Sequence, residues 1–186
     1  MLGAAVGACL LSACASDYAS LYVHPNSDLA LYNRVAVMPL ANLTSDRFAG
    51  ERVREVLIVE LASLGLFTVA EVGEVTRVLR EHNVSTATEI DPQLIMEVGN
   101  ELGVQAVIAG SVLDYRERRS GSFTIPEIAL SLRMIDVESG MTVWSVSDAR
   151  TGISLSTRLF GIGEKSQTAV VRELIRDLLA IVLDWA

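Results

Sequence analysis

The sequence predicts an α/β fold, a three-layer-like sandwich of amphipathic helices around a mixed β-sheet. Apolar runs of β-type residues alternate with stretches of helical period, in the order β-α-β-α-α-β-β-β-α. The chain has 186 residues, enough for one core of ordinary size. It contains no internal repeat and no low-complexity segment, so residues 34–186 are predicted to form a single domain.

Strands and helices are predicted to alternate in the first half of this domain. Arg34–Leu40 (RVAVMPL) is a short apolar run that indicates a buried strand, with pairing that ends at Pro39. The turn ANLTSD leads into a helix over Ala49–Leu64, whose apolar residues fall on one face. Phe67–Ala70 is predicted as a second strand, and Val72–His82 as a charged amphipathic helix.

A third helix and the clearest strand of the sequence come next. Asp91 and Pro92 supply the cap and first-turn residues of a helix that ends at Gly103. Val104–Tyr115 is an almost continuous apolar run, which indicates a buried strand. Gly110 lies inside this run and therefore predicts a bend or a close approach of another backbone.

A hairpin and a long terminal helix are predicted to complete the domain. Glu127–Val137 alternates apolar and polar residues, and the turn Glu138-Ser139-Gly140 returns the chain along Met141–Ala149. The terminal helix spans about Glu164 to Trp185 and has an unusually wide apolar stripe.

The width of this stripe suggests a second contact surface. Ile175, Leu179 and Val182 lie beyond the arc that one sheet contact requires, and we predict them as an oligomer interface because exposed apolar side chains favour burial. The mean hydropathy of +0.40 also indicates apolar surface that a second contact would bury. The sequence also allows a helix buried between the sheet and the preceding leader.

The N-terminus predicts export and lipidation. Residues 1–13 are apolar or small and uncharged, too short to span a membrane but suited to the end of a signal peptide. Leu11-Ser12-Ala13-Cys14 matches a bacterial lipobox, which makes Cys14 the acylated first residue of the mature protein. Residues 14–33 are then a lipidated extended leader. In lipoproteins of this kind, Ala15 after the cysteine indicates transport to the outer membrane.

Composition and motifs exclude several classes of function. The net charge of −8 argues against nucleic-acid binding, because a basic footprint is needed to displace counterions from phosphates. The short basic cluster Arg116–Arg119 is predicted as a solvated hairpin end. No catalytic, metal or phosphate-binding motif is recognisable, so neither an enzyme nor a cofactor is predicted.

Two further features could contact a partner. Asp114 follows an apolar strand, so it either lines a binding surface or simply marks the strand terminus. The segment ISLSTRLFGI, residues 153–162, carries Leu159 and Phe160 between glycines. These two side chains either contact the membrane interface or fold back into the core.

Several segments carry a resemblance to a known family. RVAVMPLANLT, LGVQAVIAGSVLDY and SLRMIDVESGMTVWSVSDARTG together resemble the CsgG superfamily of bacterial outer-membrane lipoproteins. The segment Val143–Gly152 (VWSVSDARTG) is most similar to the PelC lipoproteins of Pel exopolysaccharide export. The resemblance covers residues 34–185 and implies a CsgG/TolB-N-terminal-like fold.

The resemblance also implies a function. It implies a non-enzymatic lipoprotein on the periplasmic face of the outer membrane, anchored in lipid by Cys14. Subunits would form a homo-oligomeric ring that passes a polymer to an export pore or scaffold protein, with Asp114 facing the polymer. The alternatives are a CsgG-like secretion component and an LpoB-type regulatory lipoprotein that binds a peptidoglycan synthase.

Overall fold

The computed structural model describes residues 19–84, 91–121, 123–152 and 165–185. Within these residues, seven strands form one sheet and four helices pack on it. The strands are β1 Ser20–Val23, β2 Arg34–Val37, β3 Ala41–Asn42, β4 Thr68–Val69, β5 Ala106–Ser120, β6 Phe123–Asp136 and β7 Thr142–Thr151. The helices are α1 Ala49–Leu64, α2 Val72–Glu81, α3 Pro92–Leu102 and α4 Gln167–Asp184.

The sheet is mixed, as the sequence predicts. Its order is β1-β7-β6-β5-β2-β4, and β3 pairs with the middle of β5, at Ser111 and Val112. β2 and β3 run parallel to β5, and β4 runs parallel to β2. β6, β7 and β1 continue the sheet on the other side of β5 with antiparallel pairing. One half of the sheet is therefore parallel and the other is antiparallel.

The core consists of two clusters, one on each face of the sheet. The larger cluster lies between the sheet and the pair α1 and α4, with Leu57, Leu132 and Leu174 among its fully buried members. The smaller cluster lies under α2 and α3 and includes Val78 and Ile95. Because helices cover both faces, the predicted three-layer arrangement is confirmed.

The burial of α4 corrects the predicted oligomer interface. Ile175, Leu179 and Val182 are only 0%, 5% and 2% exposed and belong to the larger core cluster. α4 contacts β6 and β7 on one side and α1 on another, so its stripe is wide because it packs in two directions within the chain. These three side chains are therefore not accessible to a second subunit. The alternative, a helix buried between the sheet and the leader, is correct in that the helix is buried, but α1 covers it more extensively than β1 of the leader does.

The ordered sheet begins upstream of Arg34, inside the segment predicted as an extended leader. β1 pairs with β7 along its whole length, from Ser20 opposite Ser147 to Val23 opposite Trp144. Leu21 and Val23 pack against the larger core cluster. Four residues are too few to show a sustained period, which is why sequence alone does not reveal this strand.

The β5–β6 hairpin is longer than predicted. The two strands remain paired out to Ser120 and Phe123, well beyond the predicted strand ends at Tyr115 and Glu127. The exposed charged residues beyond these ends hide the alternation that identifies a strand. A register shift between Val112 and Asp114 places one extra residue, Leu113, in β5, which is the geometry of a β-bulge.

Gly110 confirms the predicted close approach. A Cβ atom at this position would lie 2.3 Å from the carbonyl oxygen of Ser131 on β6 and 2.9 Å from Cδ2 of Leu132. Only glycine fits here without moving the neighbouring backbone.

Candidate functional site

One half of a sheet face has no helix over it among the described residues. α2 and α3 pack against β2 and the beginning of β5, and the smaller cluster reaches β6 only at Ile135, with Val137 just after the end of that strand. The same face of β1, β7 and the middle of β6 presents small and polar side chains that are half-buried or exposed. We call this surface the open face.

A row of four serines crosses the open face. Ser20, Ser147 and Ser131 are register partners on β1, β7 and β6, and Ser111 on β5 is the partner of Ser131. Since neighbouring strands lie about 4.8 Å apart, the row spans about 14 Å. None of the four hydroxyl groups makes a side-chain hydrogen bond within the described residues. We call these four residues the serine row.

A second row lies directly beside the serine row. Tyr22 and Arg133 both pair with Ser145 of β7, so an aromatic ring and a guanidinium group flank a further serine. Tyr22 and Arg133 are exposed. Arg133 has no ion-pair partner among the described residues, so its charge is available to a ligand.

Asp114 lies at the opposite border of the open face. It pairs with Ala129 of β6. Its carboxylate forms an ion pair with Arg116, with 3.2 Å between Oδ2 of Asp114 and Nη2 of Arg116. The Glu127 carboxylate forms ion pairs with two arginines: its oxygens lie 2.9 Å from Nε of Arg116 and 2.6 Å from Nε of Arg118. Hydrogen bonds from Arg118 and Arg116 lower the pKa of the Glu127 carboxyl below its usual value. This border is therefore a paired network in which Asp114 is not an isolated negative charge.

An apolar patch lies where β3 ends, next to the β-bulge. Leu43 is 64% exposed, and its N–H donates to the carbonyl oxygen of Val112, which places it beside Leu113. The exposed Phe48 ring stacks with two arginines, whose guanidinium carbons lie 4.3 Å (Arg47) and 5.8 Å (Arg52) from the ring centroid. Leu43, Phe48 and Leu113 with these arginines form what we call the Leu43 patch.

Side-chain hydrogen bonds hold the loop of this patch in place. The Asn42 amide donates to the carbonyl oxygen of Asp46 at 2.7 Å, and the Asp46 carboxylate accepts from the N–H of Phe48 at 2.9 Å. The same carboxylate pairs with Arg52 at 2.9 Å. Sequence reasoning treated ANLTSD only as a turn. An apolar Leu43 among turn residues was the available signal for a contact surface.

The remaining predicted site residues fall outside this region. Cys14, Leu159 and Phe160 lie outside the described residues. His82 lies between α2 and α3, with Nε2 3.0 Å from a Glu101 carboxylate oxygen. This contact joins the two helices.

Among residues 19–84, 91–121, 123–152 and 165–185, no cluster of three or more His, Cys, Asp or Glu side chains could ligate a metal ion. No helix in the described part of the chain has the length and apolar character needed to cross a membrane.

Comparison with known families gives one match. The model of the family described as peptidoglycan-synthase activator LpoB matches residues 11–149, well over half of the chain. The matched range contains the predicted lipobox, β1, the Leu43 patch and most of the open face. A comparison with functionally curated protein sequences finds no match.

Solved structures share the fold. The PelC dodecamer of Paraburkholderia phytofirmans is 21% identical, with a TM-score of 0.60, covering 87% of this chain and 96% of that one. Lipoprotein GNA1162 of Neisseria meningitidis is 16% identical, with the same TM-score, covering 82% and 99%. The LpoB C-terminal domain of Salmonella enterica is 22% identical, with a TM-score of 0.49, covering 63% and 82%. At these identities the PelC and GNA1162 structures establish the fold alone.

Proposed function

This chain belongs to the family of the peptidoglycan-synthase activator LpoB, and from that membership we propose that it is a non-enzymatic envelope lipoprotein that binds and activates a peptidoglycan synthase. The observation that carries the proposal is the family match over residues 11–149. It favours the regulatory alternative over the export ring that the sequence resemblance implied.

We assign the synthase contact to the Leu43 patch. Protein interfaces obtain most of their binding energy from a few aromatic, arginine and apolar side chains that lose their water on binding. Phe48 stacked with Arg47 and Arg52 supplies such groups, and Leu43 adds an exposed aliphatic side chain. Because Asn42 and Asp46 already fix the loop, little conformational entropy is lost when a partner binds.

Leu43→Glu should weaken synthase binding at least about tenfold, because it places a charge in the apolar centre of the contact. Leu31→Glu is the matched control, since Leu31 is 67% exposed and lies near Val104, just before the start of β5, whereas Leu43 lies beside Val112 in the middle of that strand. Binding is measured by surface plasmon resonance with the purified synthases of the same bacterium. Equal affinity for the two variants would remove the Leu43 patch as the docking site.

An export ring is a second candidate function. A protein of the same fold, PelC of Paraburkholderia phytofirmans, is a dodecamer. The wide stripe of α4 no longer supports self-association, because Ile175, Leu179 and Val182 are buried within one chain. In a ring, Asp114 would face the exported polymer and Leu159 and Phe160 would contact the membrane, as the resemblance implied.

Both candidates require the lipid anchor at Cys14. Each buried methylene group contributes about 0.8 kcal/mol, so two acyl chains hold a protein stably on a bilayer. Cys14→Ala should therefore move the protein from the outer-membrane fraction to the soluble periplasmic fraction. Fractionation followed by immunoblotting measures this, and identical partitioning of variant and wild type would contradict lipidation.

The released Cys14→Ala protein also separates the two candidate functions. The full chain has a mass of 20.1 kDa. Light scattering should give a mass near one subunit for a synthase activator, whereas a stable assembly of many subunits would favour the ring.

A further inference from the structure

We propose that the serine row binds a peptidoglycan glycan strand, so that the protein holds the polymer made by the synthase it activates. The proposal rests on the proposed function for the identity of the glycan. It assigns a ligand to the open face, which borders the Leu43 patch assigned to the synthase where β3 pairs with β5.

The first argument is the supply of free hydrogen-bonding groups. The hydroxyls of Ser20, Ser111, Ser131 and Ser147 are unpaired within the described residues and regularly spaced along one line. Covering a hydroxyl without giving it a partner costs about 1–3 kcal/mol. A glycan strand carries hydroxyl and amide groups along its whole length and can satisfy such a row.

The second argument is the shape and chemistry of the surface. Small side chains make the serine row shallow, so an extended chain can lie flat across β1, β7, β6 and β5. Tyr22 provides an exposed ring at one end against which a sugar ring can pack. Large apolar side chains, which form the centre of most protein interfaces, are missing from the described part of the open face apart from Tyr22 and Leu113 at its borders.

The third argument is charge. Arg133 lies next to the serine row with no carboxylate partner among the described residues. Asp114 and Glu127, in contrast, are paired with Arg116 and Arg118. These five side chains sum to three positive and two negative charges. The surface therefore suits a strand that bears carboxylates, as peptidoglycan does on its lactyl groups and stem peptides, and disfavours a cationic polysaccharide.

The test uses the full-length acylated protein in detergent micelles and soluble, uncross-linked peptidoglycan strands as the probe. The triple variant Ser111→Ala/Ser131→Ala/Ser147→Ala removes three hydroxyls without adding bulk, and should weaken strand binding at least tenfold in isothermal titration calorimetry. Arg133→Gln should also weaken it. Arg119→Gln, which alters an exposed arginine outside both rows, is the matched control and should bind as wild type does.

Two further measurements, of synthase affinity and of chitosan binding, complete the test. Synthase affinity should be unchanged in the triple variant, so loss of glycan binding is distinguishable from failure of the proposed function. The proposal is overturned if wild type binds no strands, if the triple variant binds them equally well, or if the triple variant loses the synthase and keeps the glycan. Tighter binding of cationic chitosan oligomers than of peptidoglycan strands would also overturn it.

Discussion

Replacing Ile175 with glutamate should unfold the domain, not separate the subunits of an assembly. Ile175 is completely buried in the cluster between α4, α1 and the sheet. No basic side chain in the described part of that cluster is available to a carboxylate introduced there. An uncompensated buried charge costs several kcal/mol, whereas the whole domain is expected to be stable by about 5–15 kcal/mol.

Ala180→Glu provides the matched control for this prediction. Ala180 is exposed on the same helix, so the added charge remains in water and the fold should be retained. Thermal unfolding followed by circular dichroism compares both variants with wild type. A folded Ile175→Glu protein of smaller mass than wild type would contradict the burial of Ile175 and restore the oligomer interface.

Gly110→Ala should lower the free energy of unfolding by roughly 1–3 kcal/mol or more, the range for overpacked cores. The added methyl group would lie 2.3 Å from the carbonyl oxygen of Ser131, so the β5–β6 ladder has to shift. This ladder joins the parallel and antiparallel halves of the sheet, and a local adjustment therefore disturbs both.

Gly73→Ala is the control with the opposite expected sign. No atom lies within 4 Å of the added methyl group, and position 73 is in the first turn of α2. Alanine is favoured over glycine in a helix by roughly 0.5–1 kcal/mol, so this variant should be slightly more stable than wild type. Urea unfolding measures both changes, and equal stability of the two variants would contradict the close approach at Gly110.

Local patterns in the sequence predict most of the fold. The helical period of Ala49–Leu64 and the apolar run of Val104–Tyr115 both correspond to elements of the structure, α1 and β5. Gly110 is informative because a glycine inside a buried strand has few other physical causes. These features depend on neighbouring residues in the chain, which is why one sequence reveals them.

The functional surfaces depend on tertiary packing and strand register, which local patterns do not contain. The serine row joins Ser20, Ser111, Ser131 and Ser147, which are widely separated in the chain. The apolar stripe of α4 was wrongly interpreted as an oligomer interface. The sequence shows that the stripe is wide, but it does not show that the extra apolar residues pack against α1 as well as the sheet. The Leu43 patch was missed because its five residues are spread over three places: Leu43, Arg47 and Phe48 precede α1, Arg52 lies in the first turn of α1, and Leu113 forms the β-bulge.

The resemblance to PelC predicted the shared fold but not the family. PelC of Paraburkholderia phytofirmans shares this fold at 21% identity, whereas the match over residues 11–149 is to the synthase activators. Proteins that share a fold differ in the surfaces that bind their partners, so fold alone does not choose between an export ring and a regulator.

The rate of glycan polymerisation by a purified peptidoglycan synthase tests the proposed function most directly. The protein should raise this rate for at least one synthase of the same bacterium, and Leu31→Glu should raise it equally well. Leu43→Glu should need at least about tenfold more protein to reach the same rate. No acceleration of any of these synthases by the acylated wild-type protein would contradict the account.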